Sequence, residues 1–543
     1  MKKIIFLILL VILTLSVSMV SAAENITDDA VSLTPAGDSF DDIQKTINNA
    51  KNGDVIELDG NYNSNKKIID INREVTIQSS NEPATLDGKK QSKIFNINAD
   101  KVTLKNLIIK NSLDSAIDST SDKTYTFTIV NCTFVNNGKG WDGGVIFNTN
   151  DGVLNIINST FTNNQADFGG AIYSVRYGEI NIVNSKFTAN QADEGGAIYA
   201  TSFKKLTVTD SSFSDNKVAK EGGAIDVEGQ LIEISSSTFE NNVANFGGAV
   251  CANVYDIMVK GSIFTKNTAK KEGGAIYTIN YLGVDEKIDD NLVISDSVFD
   301  SNTKGYAVYS NVCNVKIENS SFKSNSDDLY LKIGSLINNN NTIKTPKVVN
   351  SLKATLSYGK TTLTYDSWNS FKVLIRDDEG NVLYDRKVKV TVGSGSNKKV
   401  YYASNDLDSP YVYFRLSKLP VGKYKVTVSL ESKYYKATAV KTTVSVKKAK
   451  TTVKAKKITA RYKKSGKFTI KVRHKLTEEP VKKIKIKIKV YTGNKYKKYI
   501  VKTNKKGVVS ISTKKLKRGY HKVVITSKNK NYDISKISSI TIK

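Results

Sequence analysis

The sequence predicts an all-β protein, a solenoid of stacked parallel strands followed by two β-sandwich modules, on three observations. First, a Gly-Gly pair followed by small or aliphatic residues recurs six times. Its first glycines stand at 143, 169, 195, 222, 247 and 273, at intervals of 26, 26, 27, 25 and 26. Second, each pair lies downstream of a Phe-x-x-Asn block such as Phe161 to Asn164. Third, the last part of the chain contains two strand-rich units that match at an offset of 97, with Tyr365 answering Tyr462 and Gly422 answering Gly519. A unit of twenty-odd residues cannot bury its own apolar face and must stack on copies of itself.

Taken in chain order, Lys2 and Lys3 precede an apolar run from Ile4 to Leu15, and Ser21-Ala22-Ala23 offers small residues for cleavage. This predicts an export signal over 1–23, with a membrane contact only if the segment stays uncleaved. The rest then lies outside the cytoplasm, secreted or at the cell surface. Ser39 is placed to cap a short helix through about Ala50, with Phe40, Ile43 and Ile47 on one face. The strand Val55 to Leu58 follows, so the helix is positioned to plug the apolar end of the first coil.

Aligning the repeats on Phe134, Phe161, Phe187, Phe213, Phe239, Phe264, Phe299 and Phe322 brings out columns. Asn stands three residues after every one, and Ser two residues before all but the first, where Cys132 replaces it. In stacked parallel strands like residues lie over one another, so the sequence predicts an inner Phe stack and an Asn amide ladder at a turn. In the Gly-Gly unit the fourth position is always aliphatic, Ile146, Ile172, Ile198, Ile225, Val250 and Ile276. The next position is Phe147, Tyr173, Tyr199, Asp226, Cys251 and Tyr277. Strand side chains alternate faces, so an inward aliphatic column sets this second column outward. Roughly ten coils at about 4.8 Å each give a rod of about 50 Å. The solenoid is expected over 24–345, with Asn338 to Asn341 and Pro346 read as a linker. Sandwiches of short alternating strands follow at 346–448 and 449–543.

Charge divides the chain. Ser351 to Lys543 carries 49 Lys and Arg against 11 Asp and Glu, a net of +38, while the remaining 32 basic and 41 acidic residues give −9. Lys483, Lys485, Lys487 and Lys489 alternate with Ile484, Ile486 and Ile488, which lines lysines along one face of a strand. Such a row discourages edge pairing, or attracts a polyanion. Outside the cell that partner is an anionic wall polymer, and no stacking or groove-reading motif points to nucleic acid.

The Gly-Gly-Ala-Ile and Phe-x-x-Asn motifs resemble the repeats of chlamydial polymorphic outer-membrane proteins and of right-handed parallel β-helix surface proteins. Asn52 to Ile56, following the helix, resembles the opening of pectate-lyase-like β-helices. Leu419 to Tyr424 and Asp377 to Gly380 resemble elements of bacterial Ig-like repeats. The combination is similar to the adhesin-like proteins of methanogenic archaea. The resemblance implies a right-handed parallel β-helix, two Ig-like β-sandwich domains and a surface role, and it leaves the ligand open.

Candidate chemistry is sparse. Only His474 and His521 exist, both outside the repeats, and three cysteines read as buried or half-buried free thiols, so no cofactor or metal is expected. Glu194 and Glu221 fall at matching positions of adjacent coils, about 5 Å apart if stacked, the separation of a retaining glycosidase pair. Asp226 lies close in sequence. Lys220 and Lys271 stand beside this glycine turn, and a solvated column accounts for the acids without catalysis. The resemblance to β-helix lyases implies an acidic calcium site and a basic catalytic group, yet the repeats offer only Arg73 and Arg176 among arginines. The outward aromatics Phe147, Tyr173, Tyr199 and Tyr277 are the stronger feature, since flat rings flanked by polar groups suit sugars. The expectation is a non-enzymatic protein whose partner is an extracellular glycan or a partner-cell surface. The alternatives are a β-helix polysaccharide lyase or glycoside hydrolase, and a purely structural wall component. Asn25, Asn158 and Asn340 have the form of glycosylation acceptors.

Overall fold

The structure is a computed structural model that describes residues 30–119, 124–140, 143–176, 178–280, 288–344, 346–378, 380–406 and 408–543. The export-signal reading of 1–23 and the acceptor Asn25 lie outside these residues. Among the described residues no helix is long and apolar enough to cross a membrane. The chain folds into two compact units, one reaching to Asn350 and one running from Ser351 to Lys543.

The first unit is a solenoid. Helix α1, Phe40–Asn49, begins at the capping box of Ser39 and Asp42 and buries Phe40, Ile43 and Ile47 completely. It packs against the strands Val55–Glu57 and Ile69–Ile71 of the first coils. Each coil then contributes strands to three parallel sheets, of which the first two are continuous as one 22-stranded sheet where their strands fuse. One coil runs Ile172–Val175, Glu179–Val183 and Lys186–Thr188, and its register on the next coil pairs Ile172 with Ile198, Ile180 with Leu206 and Phe187 with Phe213. In the middle of the rod the first two strands fuse, as in Ile198–Thr209, Ile225–Ser235 and Val250–Lys260.

The third sheet has eleven strands, so the stack has about eleven turns rather than ten. Tyr62, Leu86 and Ile109 occupy the Phe column in the first three, where the Phe-x-x-Asn motif is missing. At the far end Leu336–Asn339 pairs with the preceding coil, so Asn338 and Asn339 belong to a strand. The linker reading of this segment is thereby corrected. Asn341 takes the Ser position of the column, its Oδ1 accepting from the Ser320 N–H at 2.7 Å. An amide caps backbone groups that a further coil would otherwise satisfy.

The inner columns follow from the sequence. Phe134 to Phe322 stack face to face with centroids 4.6 to 4.9 Å apart. Asn190 donates its backbone N–H and its Nδ2 to Asn216 Oδ1 at 3.0 and 3.1 Å, and Nδ2 also reaches Phe161 O at 3.0 Å. Ser185 donates its N–H to Ser211 Oγ at 3.1 Å and its hydroxyl to Val183 O at 2.8 Å. Cys132 fills the same slot, buried, with burial pushing its thiol up to about 12. All three cysteines are buried and free. The glycine pair has two separate causes. Gly169 adopts φ 60°, and a Cβ on Gly170 would meet Gly196 O at 2.3 Å.

The second unit holds two sandwiches of one design, each a four-stranded sheet on a five-stranded sheet in the same strand order. Phe371, Val373 and Ile375 from one sheet meet Val388, Val426 and Val444 from the other in a common core. Phe468, Ile486 and Val523 do the same in the second sandwich. The two halves are joined by the Tyr532 hydroxyl donating to Asp366 at 2.7 Å and the Val421 N–H donating to Asn531 Oδ1 at 2.9 Å.

Candidate functional site

The outward column of the first sheet lies directly over the buried aliphatic one. Phe147, Tyr173, Tyr199, Asp226, Cys251, Tyr277, Tyr309 and Tyr330 pair in register from coil to coil. Sequence reading missed Tyr309 and Tyr330, because their coils lack the Gly-Gly pair. They stand only 10 and 8 residues after Phe299 and Phe322, short of the 12 or 13 that separate the earlier pairs, so spacing alone could not place them.

The rings form two stacks with a gap between. Phe147 and Tyr173 have centroids 5.3 Å apart, Tyr173 and Tyr199 5.7 Å, Tyr277 and Tyr309 5.1 Å, and Tyr309 and Tyr330 4.6 Å. All are half-buried rather than fully exposed. Phe168, from the position just before a Gly-Gly pair, leans on Tyr199 at 5.1 Å, and Phe246 leans on Tyr277 at 5.0 Å. Lys271 sits over the Phe246 ring at 4.9 Å. The column faces outward, as its alternation with the aliphatic residues requires, but neighbouring turns cover part of it.

Asp226 and Cys251 occupy the gap between the stacks. Cys251 is fully buried although it faces away from the core, because Glu221 folds over it from the turn, with the thiol 3.6 Å from Glu221 Oε2. Asp226 is half-buried between Tyr199 and Cys251. Burial, then the charges of Glu221 and Glu194, push the Asp226 carboxyl up to about 8. Burial, then Asp226 and Glu221, hold the Cys251 thiol well above its usual range. Burial, then Asp226 and Glu194, also raise the Tyr199 phenol.

Glu194 and Glu221 lie in adjacent coils, with the Gly195 N–H donating to Glu221 O at 3.0 Å. Their carboxylates nevertheless turn to different partners. Glu194 pairs with Lys220 at 2.9 Å, whereas Glu221 converges with Asp226 and Cys251, whose ligand atoms all lie within 4.8 Å of its own. Sequence reading did not foresee this grouping. It brings two carboxylates and a sulfur together, a mixed donor set of the kind that suits borderline cations. Loading it would release the protons that burial keeps on Asp226 and Cys251.

In the second sandwich the strand begins at Lys485, and Lys483 lies outside it with φ 55°. The ladder is broken there because Thr503 meets Lys483 and Ile484 together. Lys483 donates its N–H to Thr503 O, and Ile484 donates its own to Thr503 Oγ1 at 3.1 Å. The lysine row therefore consists of Lys485, Lys487 and Lys489, with Ile484, Ile486 and Ile488 buried opposite. Lys502 pairs across the sheet with Lys485 and Lys498 with Lys489, which concentrates like charge. Asn158 and Asn340 are both exposed at left-handed turns.

Four segments, 158–175, 210–228, 236–253 and 261–279, match the Chlamydia polymorphic membrane protein repeat. They cover strands of the aromatic column, the two residues of its central gap, Asp226 and Cys251, and Glu221 from the adjoining turn. No curated protein matches the chain. Among solved structures, the tetra-tandem repeat in the extending region of a large adhesion protein is 13% identical, with a TM-score of 0.22 over 35% of this chain and 48% of that one. The Yersinia pseudotuberculosis adhesin InvE is 13% identical, with a TM-score of 0.21 over 34% of this chain and 58% of that one. Invasin, a bacterial integrin-binding protein, is 16% identical, with a TM-score of 0.23 over 35% of this chain and 39% of that one. The chain thus spans about half the length of these structures, and likeness at this level transfers neither fold nor activity.

Proposed function

We propose that this chain is a non-enzymatic, adhesin-like protein, secreted or held at the cell surface. Its acidic solenoid, wound as a right-handed β-helix, presents the outward aromatic column to an extracellular glycan or a partner-cell surface. The two sandwiches, of Ig-like type, serve as stalk and as anchor to an anionic wall polymer. The arrangement of parts follows the divisions 1–23, 24–345, 346–448 and 449–543. The observation that carries the reading is the register of half-buried rings, Phe147 to Tyr199 and Tyr277 to Tyr330, with carboxylates between them. Stacked rings beside hydrogen-bonding groups suit an extended sugar chain. The four matched repeats support a surface location.

Binding of the labelled full chain to a glycan panel and to whole cells tests this. The double change Tyr173→Ala and Tyr199→Ala is expected to weaken binding by about tenfold or more. Retention undiminished in that variant would remove the aromatic column from the proposal. Retention on wall material is expected to fall steeply between about 50 mM and about 500 mM salt.

One observation favours a second reading, cleavage of a polysaccharide. Asp226 holds its proton to about pH 8 beside Glu221, as an acid and a second carboxylate do in glycoside hydrolysis. Release of reducing ends that Asp226→Asn and Glu221→Gln both abolish, with Glu194→Gln as the comparison, would replace the adhesin by an enzyme.

A further inference from the structure

Away from the aromatic column, where the fused strands Ile198–Thr209, Ile225–Ser235 and Val250–Lys260 turn from the first sheet into the second, the solenoid carries a recess of about 430 Å³. A volume of that order accommodates a small ligand. The coils pass from Ile225 to Ile232 and from Val250 to Ile257 in seven residues, whereas the next coil takes sixteen, from Ile276 to Leu292. Asn280 and Asp290, inside that longer passage, line one end of the recess.

The floor is apolar. The pairing of the first two fused strands shifts register between Thr201 and Phe203, and Ser202 takes φ 58°. This bulge turns Phe203 inward to 1% exposure. A Cβ on Gly229 would meet the Phe203 ring at 2.7 Å, so glycine there makes room for the floor. The rim is polar and aromatic. Tyr255 stands at 63% exposure, and Glu228, Asn253 and Asp290 also face the space. Among the described residues, none that lines the recess is a cation.

Among the described residues that line the recess, one buried polar group is left without a partner. Asn280 is 3% exposed, yet its Nδ2 is buried with no hydrogen-bond acceptor there. Its main chain is well held, with Asn280 O accepting from Asn311 Nδ2 at 3.2 Å. A buried amide with idle N–H donors costs about 1 to 3 kcal/mol, so such a group calls for an acceptor from elsewhere. A sugar hydroxyl entering the recess supplies one, and donates its own proton to a carboxylate in return.

Resting on the glycan reading above, we propose that this recess is a subsite for one neutral hexose unit of a polysaccharide. Asn280 Nδ2 donates to a ring hydroxyl, Glu228 and Asp290 accept from others, and Tyr255 lies against the apolar face of the ring. The two carboxylates set the selectivity, since a uronic acid or sulfated unit would bring like charge against them. Asp290 is held up at about 6 by burial, then by Asp256 and Asp289, so it is mainly an acceptor above that pH.

Calorimetric titration of the full chain with neutral hexasaccharides (β-1,3-glucan, β-1,4-glucan and α-mannan), with oligogalacturonate as the anionic comparator, tests the subsite. At least one neutral oligomer is expected to bind, and oligogalacturonate to bind at least tenfold more weakly. Tyr255→Ala and Glu228→Gln, both at exposed positions that spare the core, are each expected to lower neutral-glycan affinity about tenfold with an unchanged melting curve. If Tyr173→Ala abolishes binding while Tyr255→Ala and Glu228→Gln leave it intact, the subsite is wrong and the aromatic-column reading survives. If no oligomer binds, neutral or anionic, the subsite and the glycan reading fall together, and attachment to cells then identifies a partner of another class. Preference for oligogalacturonate overturns the assignment of the carboxylates.

Discussion

The Phe213 column and the Tyr199 column climb the same coils, one pointing into the solenoid and the other out of it, under different constraints. Inside, eight phenylalanines repeat without a break, and the centroid spacing varies only between 4.6 and 4.9 Å. Each ring is packed above, below and on both sides, so a smaller residue leaves a cavity and a larger one has nowhere to go. Outside, the spacing runs from 4.6 to 5.7 Å, and an acid and a thiol interrupt the stack. A ring with one face toward water leaves space for substitution, so the outer column is where the chain departs from its repeat. The two regions separate what builds the rod from what the rod displays.

The inner column should be the more sensitive. Phe213→Ala is expected to lower stability by about 4 kcal/mol, measured by denaturant titration, with the loss confined to nearby coils if the rod unfolds segment by segment. A loss below about 1 kcal/mol would mean that inner and outer columns are constrained alike. The amide ladder ranks next. Asn216→Ala strips the Asn190 N–H and Nδ2 of their acceptor and Phe187 O of a donor, at an expected cost of about 3 kcal/mol.

The outer column should respond in the opposite sense. Asp226 keeps its proton in the folded state up to about pH 8, while in the unfolded chain it ionises near the ordinary aspartate value of 3.8. Between those values the folded protein binds more protons than the unfolded one, so stability falls as pH rises, and above pH 8 the loss is complete. Asp226→Asn removes that slope. The variant is expected to gain roughly 2 kcal/mol over the parent between pH 4 and pH 8, below the limit of about 1.4 kcal/mol per pH unit because the residue keeps some contact with water. Parallel pH profiles for parent and variant would show that Asp226 is solvated. The smallest effect is expected in the basic sandwich. Replacing Lys485, Lys487 and Lys489 by Gln should change stability by no more than about 0.5 kcal/mol, while binding to a soluble polyanion such as polyphosphate weakens and loses part of its salt dependence.

Much of this was legible from residue spacing. Phe161, Asn164 and Ser159 recur because equivalent positions of stacked coils share one environment, so identity of type reports identity of place. The Ser39 capping box and the apolar face of α1 were equally plain, since both depend on contacts within one turn or two. The first three coils were not, because Tyr62, Leu86 and Ile109 fill the Phe column with other shapes of sufficient size. Nor could Asn338 and Asn339 be told from a linker, since an asparagine run forms turns or ladders according to what lies beneath it.

The chain by itself determined the period, the facing of each column and the division of charge, because these depend on local alternation and on like residues lying over one another. Tertiary structure alone decided that Glu221 meets Asp226 and Cys251 while Glu194 goes to Lys220, and that Asn280 is buried beside a recess with its amide idle. The physical reason is that burial and side-chain direction belong to the space between coils. A register shift of one residue at Phe203 changes that space without marking the sequence motif.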